Sequence, residues 1–258
     1  MAFQVRALGE REVILPDGKK AVFPVRTAEN LFWYLLLFPE GRAKDLVISE
    51  FLDSDVTTKS LTLLRVTVHR VRRALGDDSA ILSQGDRLAL APHVLEASDT
   101  HVFSEALSEA RLASSPEDRM SRLELATKLA AGPFVPGLDA EWADEARREF
   151  DAARAEARLG LAAVACEMRR CSDSVDHLSA AIAVDPLIGE EHEQQLLICL
   201  TTTRGSSCAV DAYRQYVKAL RDEIDEAPAP ETDHLITRIR SGEAVCDAAP
   251  ESLRARPL

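Results

Sequence analysis

The chain has 258 residues, 46% hydrophobic and 29% charged, with a formal net charge of −12. That is enough for one large or two modest domains, each with its own core, and the balance excludes a disordered or fibrous chain. The longest apolar run, Leu31–Phe38, is eight residues, far short of the roughly 20 that span a bilayer. No secretory signal opens the chain, so a cytoplasmic protein with no membrane partner is expected. An acidic chain binds nucleic acid poorly unless its positive charge is gathered into one patch, so local clustering matters more than the sum. Residues 1–100 hold 13 Lys+Arg against 14 Asp+Glu, and residues 101–258 hold 18 against 29. The five cysteines, at 166, 171, 199, 208 and 246, include no C-x-x-C pair and read as buried or free thiols.

Phe3–Ala7 alternates like a short strand, and Glu12–Leu15 is a similar run. Pro16-Asp17-Gly18-Lys19 is a turn signal before Ala21–Val25, which predicts a small antiparallel sheet. Thr27 is positioned to cap a helix from Ala28 whose apolar stretch ends at Pro39-Glu40-Gly41. A second helix is predicted over 43–52, with Leu46, Val47 and Phe51 inward. Asp53-Ser54-Asp55 then breaks the chain.

In Lys59–Gly76, residues Leu61, Leu64, Val68, Val71 and Leu75 recur at steps of three and four and share one helical face. The opposite face carries Lys59, Thr62, Val66, His69, Arg70 and Arg73, flanked by Arg65 and Arg72, and no acid. Closely spaced arginines repel one another unless something anionic lies against them. An outward Val66 suits a thymine methyl better than solvent. Ile81–Ser83 and Arg87–Leu90 form a predicted hairpin around Gln84-Gly85-Asp86, closed by Pro92. Strands, three helices and a hairpin make the outline of a winged helix, with the third helix as the groove reader.

Beyond Pro92, helical periodicity predicts helices over 99–113, 116–131, 139–169, 172–184, 188–203, 206–225 and 230–240. Ser174, Leu178 and Ile182 correspond to Cys208, Ala212 and Tyr216 at an offset of 34, the period of a tetratricopeptide-type repeat. The fold class expected is mainly α with a small β part. It comprises an N-terminal winged helix-turn-helix over 1–92, an all-α tetratricopeptide-like helical repeat domain over 93–240, and a disordered tail over 241–258.

Catalytic signatures fail on inspection. Gly132 and Gly137 have phosphate-loop spacing, but Leu138-Asp139 stands where lysine and a hydroxyl residue belong. Glu191-His192-Glu193 has no second histidine four residues on, so it is no zinc-hydrolase helix. No G-x-S-x-G elbow is present. Neither an enzyme nor a cofactor is expected.

The first half carries Asp17-Gly18, Leu64-Arg65, the run Val68-His69-Arg70-Val71-Arg72-Arg73-Ala74-Leu75-Gly76, and Gly85-Asp86-Arg87-Leu88. Further along come Gly132-Pro133-Phe134 through Gly137 to Trp142, Asp185-Pro186 leading to Glu190, and Gly205, Ala209, Tyr213 and Leu220. In their order and spacing these segments together resemble the SARP-type bacterial transcriptional activators. The departures are Asp86 in place of a wing tyrosine, Leu52 in place of a tryptophan, and Glu226-Ala227 where a glycine ends the penultimate helix.

The resemblance implies an OmpR-like winged helix joined to a helical activator domain, acting as a sequence-specific DNA-binding regulator. Thr62, Val66, His69 and Arg70 or Arg73 would face base edges. Lys59, Arg65 and Arg72 would lie nearer phosphates, and Arg87 on the wing would reach the adjacent backbone or minor groove. It also implies RNA polymerase as a partner, contacted through Asp53, Asp55, Thr57 and Thr58. Double-stranded DNA would be bound at direct repeats by head-to-tail protomers, a homodimer on DNA. The alternative is a tetratricopeptide-type protein–protein adaptor whose winged helix no longer binds DNA, which Asp86 and the nearly balanced charge of residues 1–100 favour.

Overall fold

The computed structural model describes residues 3–52 and 54–246. The described chain falls into two compact units. One runs up to Glu105 and includes Lys128–Ala153, and the other joins Ala106–Thr127 to the chain from Arg154 on.

In the first unit, β1 (Gln4–Arg6) and β2 (Glu12–Ile14) pair antiparallel, with Val5 opposite Val13. The strand expected over Ala21–Val25 does not form. Pairing continues through an Ile14–Lys20 bridge, with the Leu15 N–H donating to the Lys19 carbonyl and the Ala21 N–H to the Val13 carbonyl. Pro24 lacks a donor for a ladder, and the chain enters a helix two residues later. That helix, α1 (Arg26–Leu36), has Val25 at its N-cap, so Thr27 lies in the first turn instead of capping it. Leu31 to Leu36 are all buried, the pattern of a helix enclosed by its neighbours. Each such side chain contributes about 1.5–3 kcal/mol by leaving water.

β3 (Arg42–Ala43) and α2 (Lys44–Leu46) follow, and Val47–Phe51 forms a π turn in place of the expected regular helix. Its wider i→i+5 bonding shifts the phase of the side chains. Leu46 is therefore exposed, Val47 and Ile48 enter the core, and Phe51 is half-buried. α3 (Thr58–Leu75) packs on α1 through buried Leu64, Val68, Val71 and Leu75. The hairpin β4 (Ile81–Gln84) and β5 (Arg87–Leu90) takes β3 on its other edge, giving the order β3-β5-β4.

α4 (Pro92–Leu95) leads into α5 (Asp99–Leu112), α6 (Pro116–Leu129) and α7 (Glu141–Glu167). The Asp99 carboxylate accepts the Ala7 and Leu8 N–H groups at 2.9 Å. Leu8 bridges to Phe134, and Gly9 donates to the Pro133 carbonyl. A Cβ on Gly132 would come within 2.5 Å of the Gly9 Cα, so glycine at 132 answers to this backbone approach.

The second unit holds α8 (Cys171–Ile182), α9 (Glu190–Arg204), α10 (Ser206–Ile224) and α11 (Pro230–Ser241). The seven long helices start and end within two residues of the boundaries expected from periodicity. α9 packs against α8, α10 and α11, which explains why five consecutive residues, Leu196 to Leu200, are buried. At the offset of 34 the buried partners are Val175 and Ala209, whereas Cys208 is exposed. Glu193 is only 4% exposed, and its carboxylate has neither a hydrogen bond nor an ion pair among the described residues. Burial pushes its carboxyl up to about 7. Val245 is buried at 2%, so the core runs past residue 240, and residues 247–258 of the expected tail lie outside the described residues. The fold is mainly α with a small β part, a winged helix-turn-helix followed by tetratricopeptide-like helices.

Candidate nucleic-acid interface

α3 is framed at both ends by its own sequence. Thr57 Oγ1 accepts the Ser60 N–H at 3.1 Å, and Ser60 Oγ accepts the Thr57 N–H at 2.8 Å, a reciprocal cap. Gly76, at φ +65°, ends the helix in the left-handed conformation that glycine adopts without strain. Arg72 and Arg73 lie in the last turn, where the helix dipole favours cations.

Between these ends, Lys59, Thr62, Arg65, Val66, His69 and Arg73 are exposed, and Arg70 is half-buried. Among the described residues, none of Lys59, Arg65, Arg70 and Arg73 enters an ion pair, and α3 itself carries no acid. Thr62 is partly engaged, its hydroxyl donating to the Thr58 carbonyl at 2.8 Å. Leu63, 46% exposed, stands on the same side as Val66, 41% exposed. Sequence phase left Leu63 on neither face, and only its angular nearness to Val66 signalled its position.

Arg72 and Arg87 are held by the fold. Arg72 Nη2 donates to the Ile81 carbonyl at 2.6 Å, joining the end of α3 to the start of the hairpin. Arg87 Nη2 donates to the Gly41 carbonyl at the head of β3. At the wing turn, Gly85 sits at φ +58°, and Lys44 Nζ donates to its carbonyl at 2.6 Å. Lys44 is a cation at the wing that sequence reasoning missed, because β3 and β5 meet only in the folded sheet. Asp86 is exposed beside it.

Replacing Arg72 by alanine is expected to cost about 1–2 kcal/mol in urea unfolding through loss of a charged donor to a carbonyl. Arg73→Ala, at an exposed and unpaired site, should change stability by about 0.5 kcal/mol or less.

Before α3, Asp55 and Thr57 lie in the loop and Thr58 opens the helix; all three are exposed, and Asp53 lies outside the described residues. The Asp55 carbonyl accepts Ser60 Oγ at 2.8 Å, which tightens this turn against the cap.

The family model described as bacterial transcriptional activator domain matches residues 98–240. The chain belongs to that family. Bacterial transcriptional activator domains are parts of transcription regulators, and the chain falls in that class. The SARP-type resemblance drawn from the motifs therefore stands. The chain is similar to "Regulatory protein AfsR" of Streptomyces griseus, at 26% identity over 226 residues. That match covers 84% of this chain and only 22% of the relative. Among solved structures it is similar to "Mycobacterium tuberculosis EmbR in complex with low affinity phosphopeptide", with a TM-score of 0.77 and 17% identity. The match covers 98% of this chain and 69% of that one, a likeness of fold. No described helix is long and apolar enough to cross a membrane.

Proposed function

We propose that this activator-family chain is a sequence-specific DNA-binding transcription regulator of the cytoplasm, an activator. Residues 1–92 form the DNA-binding module, and α3 enters the major groove. Residues 93–240 serve protein contacts or dimerisation.

The unpaired cationic side of α3 supports this most directly. In a chain of net charge −12, Lys59, Arg65, Arg70 and Arg73 are left without acidic partners among the described residues. Such a cluster lowers its own repulsion when a polyanion lies against it. Lys59 and Arg65 contact phosphates. Thr62, Val66, His69 and Arg70 or Arg73 face base edges, and Leu63 adds a second apolar contact for a thymine methyl. Arg72 and Arg87 act chiefly by holding the wing, which presents Lys44 to the flanking backbone. Protomers bind direct repeats head to tail, and Asp53, Asp55, Thr57 and Thr58 meet RNA polymerase.

Oligonucleotides selected from a random pool by the full chain supply the probe. Arg70→Ala should lose about 1–3 kcal/mol of discrimination between selected and mismatched duplexes in fluorescence anisotropy. Arg65→Ala should weaken every duplex alike. If both variants bind all probes as the wild type does, α3 is not the reading element.

Asp86 on the wing turn favours the adaptor alternative, since it sets a negative charge where phosphate would approach. Heparin chromatography at low salt separates the two readings. A DNA binder is retarded despite its acidic pI, and an adaptor flows through.

A further inference from the structure

The first unit contains a cavity of about 530 Å³ lined from α1, the loop after it, the π turn, α5 and the first turns of α7. Small-molecule sites span roughly 300–1,000 Å³. Aromatic rings form much of the wall. Trp142 meets Tyr34 edge-on at 5.5 Å between centroids, Tyr34 lies 5.1 Å from Phe38, and Phe150 closes another side.

The charges on this wall are unequally matched. Arg42 is engaged by Glu50 at 2.7 Å and lies 4.3 Å over the Phe38 ring. His101 faces Glu105 at 3.3 Å. Glu145 and Glu149 also line the cavity, one helical turn apart and both exposed, and among the described residues neither carboxylate has a hydrogen bond or ion pair. Carboxylates at that spacing repel each other, and aromatic faces attract cations. An anion would meet these two acids and find every lining cation already paired.

We propose that this cavity is a binding site for a small organic cation, an amine or quaternary ammonium on an aromatic or apolar body. The charged head lies between Glu145 and Glu149 and against the Trp142 face, and the body fills the space beside Tyr34 and Phe150. Nothing in this site depends on whether the chain binds DNA.

The test is calorimetric and ligand-observed NMR titration of the full chain with 2-phenylethylammonium and with its neutral counterpart, 2-phenylethanol. The ammonium should bind saturably, and the alcohol about tenfold more weakly. The Glu145→Gln/Glu149→Gln double variant should lose about tenfold for the ammonium and leave the alcohol unchanged. Trp142→Phe should weaken the ammonium less than Trp142→Ala does. Both glutamates are exposed, so the double variant should keep its far-UV dichroism and urea midpoint. Absence of saturable ammonium binding up to about 10 mM, equal affinity for the two probes, or unchanged affinity in the double variant would each overturn the proposal.

Discussion

Replacing Glu193 by glutamine is expected to raise the unfolding free energy by about 3 kcal/mol at pH 8 and to leave it nearly unchanged at pH 4.5. Glu193 is 4% exposed on α9, and burial lifts its carboxyl from an ordinary 4.5 to about 7. A folded-state value above the unfolded one means that the fold prefers the protonated acid. Between pH 4.5 and 7 the unfolded chain releases this proton while the folded chain keeps it. Stability therefore falls as pH rises through that window, by about 1.4 kcal/mol per pH unit, and the loss is complete above it. Glutamine keeps the shape and removes the ionisation. Urea unfolding of both proteins across this range should give curves that meet on the acid side and separate toward neutrality. Parallel curves would mean that Glu193 finds a partner or water in solution.

Binding of random duplex DNA should weaken on the order of 100-fold between about 50 and about 200 mM salt. With Arg72 and Arg87 tied to carbonyls, Lys59, Arg65, Arg70 and Arg73 remain on α3. On random duplexes, which offer no matched base edge, all four meet phosphates, and about four such contacts at roughly 0.9 each in the slope of log affinity against log salt give that fall. The double variant Arg65→Ala/Arg73→Ala should flatten the slope by about two. Anisotropy titrations at four salt concentrations measure both. A slope near zero in the wild type would move the protein to the adaptor class.

The parts of this fold that were legible from residues alone are those governed by strong periodicity. α3 announces itself by its three-and-four spacing and closing glycine. The seven later helices are bounded by Gly, Pro and polar breaks. What sequence missed depended on contacts made elsewhere. The π turn at Val47–Phe51 exchanges Leu46 for Ile48 in the core, and no local propensity marks that change of bonding. Thr27 is a good cap residue overridden because α1 begins at Arg26. On the candidate interface, helical phase separated inner from outer residues correctly along most of α3. It could not tell a free arginine from Arg72, whose partner is a carbonyl nine positions on, or from Arg87, whose partner precedes it by 46.

The Gly9–Gly132 approach and the Leu8–Phe134 bridge bind the opening strands to a segment more than a hundred residues away. A fragment that ends at residue 92 would strip the Ala7 carbonyl and the Gly9 amide of their partners on Val135 and Pro133. It would also uncover Leu8. Recombination that respects the fold must draw residues 128–153 from the same parent as the first strands, so heredity here follows a spatial module that the linear order of the chain conceals.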